Sequence, residues 1–160
     1  MLKIENISTS GWKAAIRGMR NPKNSWAQID SAVVNGNCFV VGNNDYDLMY
    51  RLASAGTDHG KFMRMITVYL DITAPLYWWK EFDTYKVGTV ANSCSTMHKI
   101  HSKEFTLDDF SHEQLNEKSL YMLNETVRYL NAVREAFVET KDKEYWWQMI
   151  QLLPSSYNQR

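Results

Sequence analysis

The chain carries only two cysteines, Cys38 and Cys94, and three prolines in 160 residues. Two thiols with no secretory leader give no reason for a structural disulfide, so both are expected to be reduced. The sequons at Asn6 and Asn124 then have no chemical consequence. No apolar run approaches the ~20 residues of a bilayer span, and the opening MLKIENISTS lacks the apolar centre of a signal peptide. These absences predict a cytosolic protein without a membrane partner. An excess of one charge is missing too: 18 basic and 18 acidic side chains cancel, which removes the broad positive field that nucleic-acid binding needs. Lys61 and Arg64 are too few to make a basic patch. The sequence contains no HExxH, no Walker-type phosphate loop and no Gly-x-Gly-x-x-Gly, so the motif-bearing metalloprotease, triphosphatase and dinucleotide classes lose their usual support.

What is present suits one compact domain over 1–160, since 44% apolar and 13% aromatic residues can fill an ordinary core. Leu2 to Ile7 alternates like an edge strand, and Trp12, Ile16 and Met19 predict a helix that Asn21-Pro22 ends. Trp26, Ile29 and Val33 are spaced like a short helix, and Cys38 to Val41 reads as a strand before the turn Gly42-Asn43-Asn44. Asp45 is expected to cap a helix through Ala55, with Gly56 stopping it. Phe62 to Ile72 alternates and is rich in β-branched and aromatic residues, which predicts a strand ending before Ala74-Pro75. A helix from Ser111 to Thr140, with a break near Lys118-Ser119 left open, and a last one from a cap at Asp142 to Leu152 complete the elements. The mixture is α+β, with a small antiparallel or mixed sheet and several helices.

The most informative stretch is APLYWWKEFDTYKVGTVANSCSTMH, Ala74 to His98. Pro75 suits a first helical turn, Leu76, Trp79 and Phe82 fall at helical spacing, and the helix should reach about Tyr85. Lys86, Thr89, Asn92, Ser93, Cys94, Ser95, Thr96 and His98 follow. They offer one cation and several small donors for a phosphate or the edge of a heterocycle.

From these residues the chain resembles the flavin-dependent thymidylate synthases, in which an extended segment enters Ala-Pro, a short helix, Arg-His-Arg, and then Ser, Asn-Glu, Ser and Arg-Tyr. Counted from Pro75, the triplet falls on Thr84, Tyr85 and Lys86, and the next serine on Thr89. With one inserted residue, Asn-Glu falls on Asn92-Ser93, the second serine on Ser95 and Arg-Tyr on Met97-His98. WWQMIQLLP, Trp146 to Pro154, is similar to the family's helix running into Leu-Pro, so the resemblance spans Met49 to Pro154. It implies the family's fold in a shortened relative. It also implies an FAD site at Thr84, Tyr85, Lys86 and Thr89, a deoxyuridylate site at Asn92, Ser93, Ser95 and His98, and a homo-oligomer. The activity implied is methylation of deoxyuridylate with flavin, a reduced nicotinamide and methylenetetrahydrofolate.

Other constellations carry less. His98 and His101 stand three apart, but no third or fourth ligand is near, and no metal is expected. His59 and His112, isolated in polar contexts, belong at the surface. Cys94 is expected to be buried and inert, although Lys86 would lower its pKa if the fold brought them together. Glu81 and Asp83 lie two apart, which on a helix points them to different faces. The triplet Tyr-Trp-Trp occurs at Tyr77 and again at Tyr145, with unmatched flanks, so it marks core or interface anchors rather than a repeat. Replacement of Arg-His-Arg by Thr-Tyr-Lys removes planar bidentate forks, which Lys86 does not reproduce. Two functions therefore stay open: a thymidylate-synthase-like enzyme, or a non-catalytic scaffold of that fold that binds nucleotide or protein.

Overall fold

A computed structural model of the chain describes residues 2–36 and 38–160. Residues 6–70 form one unit, and residues 2–5 with 71–160 form the other.

In residues 6–70, the strand β1 (Lys3–Ser10) ends and the helix α1 (Trp12–Arg20) begins after Gly11. Gly11 sits at φ 91°, and a Cβ there would lie 2.1 Å from the Met65 carbonyl oxygen, so only glycine allows this approach. α1 buries Ala15, Ile16 and Met19 against Phe62, with Leu48, Met49, Leu52 and Phe39 partly buried around them. Single turns of 3-10 helix at Asn21–Lys23 and Trp26–Gln28 lead into a hairpin of β2 (Ala32–Val34) and β3 (Cys38–Val40), paired Ala32 with Val40 and Val34 with Cys38.

The helix α2 runs Asn43–Ser54. The expected cap at Asp45 is corrected here, since Asp45 lies within the helix, fully buried. The cap comes from Asp30, whose carboxylate accepts from Asn44 N (2.9 Å) and Asp45 N (3.0 Å). Gly60–Met65 is 3-10 helix, so the strand predicted from Phe62 starts later: β4 spans Thr67–Pro75. Phe62 is pulled into the core and ends the alternation.

In residues 71–160, β4 runs through Ala74-Pro75 instead of stopping before them, and α3 is Leu76–Phe82, shorter than expected. The helix α4 is one turn, Thr96–Lys99. α5 (Glu117–Thr140) starts later than the predicted Ser111 and is unbroken at Lys118-Ser119, because Asn116 caps it by accepting from Ser119 N at 3.0 Å. Leu123, Val127, Leu130 and Val133 form its buried stripe and pack with Met149 of α6 (Lys143–Leu152), Ile100, Phe105 and Phe110. Asp142 caps α6 as predicted, accepting from Glu144 N at 2.9 Å.

The short strand β5 (Asn158–Gln159) pairs antiparallel with the end of β4, giving the sheet order β1-β4-β5. The architecture is α+β, small antiparallel sheets with several helices. Among the described residues no helix is long and apolar enough to cross a membrane.

Candidate functional site

The C-terminal residues organise the site. Ala74 pairs with Gln159 and Pro75 with Asn158. The first N–H groups of α3 have no partner inside the helix. Leu76 N instead donates to Tyr157 O (2.9 Å) and Tyr77 N to Ser155 O (3.1 Å). Trp79 Nε1 donates to Gln159 O at 3.0 Å, and the Arg160 guanidinium pairs with the Asp71 carboxylate. The tail also grips the polar loop: Cys94 N donates to Arg160 O and Gln159 Nε2 donates to Cys94 O, both at 2.7 Å.

Between this tail and the segment after the loop lies a cavity of about 210 Å³. Ile100, Phe105 and Tyr157 give it apolar walls, and Ser95, Lys99 and Lys103 give it polar ones. Ser95 caps α4, its Oγ accepting from His98 N at 3.3 Å, so its hydroxyl proton stays available to an acceptor. Lys103 pairs with Asp109, and that contact raises the lysine pKa. Burial works against ionising Asp109, but the Lys103 ammonium and the Thr106 N–H outweigh it and hold the carboxyl below its usual range. Burial pushes the Tyr157 phenol up, and the Asp109 charge adds to this, so Tyr157 is a neutral O–H in the wall. Asn158 also lines the cavity. Its Nδ2 donates to Asp108 O at 3.4 Å, whereas its buried Oδ1 has no hydrogen-bond partner.

Of the residues predicted from sequence, Ser95 lines this cavity; Asn92, Ser93 and His98 are exposed and do not. Thr84, Tyr85, Lys86 and Thr89 lie on the exposed turns after α3. The Thr84 hydroxyl donates to Glu81 O at 2.8 Å and the Thr89 hydroxyl to Tyr85 O. Cys94 is exposed, a correction to the buried thiol expected from sequence; backbone bonds to the tail hold it, not core packing. His59 is exposed, but His112 is half-buried with Nδ1 2.8 Å from Phe110 O, which corrects its surface placement. Lys99, Lys103, Tyr157 and Asn158 escaped the sequence reading. α4 ends at Lys99, so no helical period joins Lys99 to Lys103, and the role of Tyr157 and Asn158 depends on the return of the tail to a distant strand.

No family model and no curated protein matches this sequence. The structure, however, matches a crystal structure of thymidylate synthase X (ThyX) from Helicobacter pylori with FAD and dUMP. The TM-score is 0.63 at 15% identity, over 99% of this chain and 75% of that one. The fold is similar to that of ThyX. The likeness is one of architecture, and it agrees with the strand, Ala-Pro, helix and polar-loop order from which the sequence resemblance was drawn.

Proposed function

We propose that this chain is a thymidylate-synthase-like protein of pyrimidine nucleotide metabolism that binds a nucleoside monophosphate such as deoxyuridylate in the cavity beside Ser95. The observation that carries the reading is Asn158. Asn158 lines the small cavity, its Oδ1 is buried without a hydrogen-bond partner and its Nδ2 is weakly engaged, and the imide edge of uracil presents the N–H and C=O that a carboxamide complements. Lys99 and the Ser95 hydroxyl supply a cation and a donor for a monoester phosphate. The ThyX neighbour, described with dUMP, supports the same ligand class.

FAD, which that neighbour also holds, is a different matter. A flavin diphosphate needs several cations or free N–H donors. Thr84 and Thr89 donate to their own backbone, Tyr85 is exposed, and Lys86 is the single cation among the four. Within one chain these residues do not fit the flavin. The reading is therefore nucleotide binding on a thymidylate-synthase-like scaffold in the cytosol. Homo-oligomerisation through exposed aromatics such as Trp147 and Tyr129 is part of the same proposal.

Calorimetric titration with dUMP tests the reading. Saturable binding is expected, weakened about tenfold in Lys99→Ala and in Asn158→Ala, a loss of about 1.4 kcal/mol each. A folded protein that takes up no dUMP, or variants that bind undiminished, would overturn it.

A further inference from the structure

A second cavity, of about 390 Å³, lies in residues 6–70 between α1 and the β2–β3 hairpin and shares no residue with the one at Ser95. Ile16, Ile29, Val33 and Phe39 make it apolar. Lys13 and Arg17, one turn apart on α1, also line it. Neither cation has a carboxylate partner among the described residues, and no acidic side chain lines the cavity. The Arg17 guanidinium instead lies 5.3 Å from the Trp26 ring centroid, which fixes a cation without cancelling its charge. The other polar lining group, Ser31, is spent: its Oγ donates to Asp45 Oδ2 at 2.7 Å and accepts from Gly42 N at 3.0 Å.

An apolar chamber with two uncompensated cations selects a ligand with an apolar body and one anionic end. Its volume falls in the roughly 300–1,000 Å³ range of small-molecule sites, which are mostly apolar with a few placed polar groups. We infer that residues 6–70 carry a second ligand site, specific for a small apolar carboxylate or sulfonate, with the acid group at Lys13 and Arg17 and the body against Ile16, Ile29 and Phe39. Neutral apolar ligands lack the charge contact, and inorganic anions lack the burial.

The test uses 1-naphthoate as probe, with uncharged 1-naphthalenemethanol and inorganic phosphate as controls, on the whole chain by calorimetry and amide chemical-shift mapping. Saturable naphthoate binding is expected, with shifts centred on Ile16, Ile29 and Phe39. The doubly substituted K13Q/R17Q protein should bind naphthoate at least tenfold more weakly and 1-naphthalenemethanol unchanged. Both positions are exposed, so the variant keeps the fold. Excess dUMP should not displace the probe, which separates this site from the nucleotide reading. Equal affinity in the double variant, equal binding of the uncharged control, or shifts centred elsewhere would each overturn the inference.

Discussion

Arg20 Nε donates to Asp45 Oδ1 across 2.6 Å, joining α1 to α2 between side chains that are 3% and 0% exposed. The carboxylate is saturated, because its other oxygen accepts from Asp30 N, Ser31 N and the Ser31 hydroxyl. The guanidinium is not, since its Nη2 is buried without a partner. Removing Asp45 would leave a buried cation with little else to hold. Asp45→Ala is expected to cost about 3–5 kcal/mol in urea unfolding, whereas an apolar pair at both positions should cost far less. Equal losses in the two proteins would contradict the account.

The same pair sets an acid response. Burial pushes the Asp45 carboxyl up, but bonds from the Ser31 hydroxyl, Arg20 and the N–H groups of Ser31 and Asp30 outweigh it, so its folded pKa lies below the ordinary 3.8. A depressed folded pKa gives stability that is full above the unfolded value and is lost as pH falls through the folded one. Unfolding free energy should therefore be flat near neutrality and fall below about pH 4, and the fall should shrink in the protein that carries the apolar pair. Denaturant titrations from pH 6 down to pH 2 check the sign.

Much of this fold was legible because its signals are local. α1 and α6 follow from apolar spacing, Pro22 and Pro154, and the Asp142 cap. The misreadings share a cause, which is a tertiary partner that sequence spacing does not reveal. Asp45 resembles a cap, yet Asp30 takes that role from another segment and Arg20 draws Asp45 inward. Ser111 resembles a helix start, but its N–H is held by Ser156 O at 2.8 Å and α5 waits for Asn116. The loop's hydroxyls read as one cluster, yet the Thr89 hydroxyl donates to Tyr85 O and Ser95 Oγ accepts from His98 N, so these two are engaged by nearby backbone. The cavity at Ser95 exists because β5 returns to β4, a pairing that no periodicity in a two-residue strand announces.

The donor set after α3 predicts a colourless protein. Thr84 and Thr89 have spent their hydroxyl protons, and one exposed lysine does not neutralise a diphosphate. After incubation with excess FAD and desalting, absorbance near 450 nm should be at background, on the order of a few per cent of one flavin per chain. Stoichiometric retention would mean that groups from a second copy complete the site.

Trp79 tests the grip of the tail. Its indole N–H donates to Gln159 O, and Trp79→Phe removes that bond while keeping an apolar ring beside Trp78 and Phe82. A bond of this kind contributes about 0.5–1.5 kcal/mol, a modest loss of global stability. The local effect should be larger in kind. Gln159 and Arg160 hold the backbone of Cys94, so freeing the tail loosens the residues that precede Ser95. Amide hydrogen exchange should speed up at Cys94 and Leu76 in the variant, with Leu130 and Val133 in the α5 core unchanged. If dUMP binding requires that arrangement, its affinity should fall in step with the lost protection. Faster exchange with full affinity would place the nucleotide elsewhere.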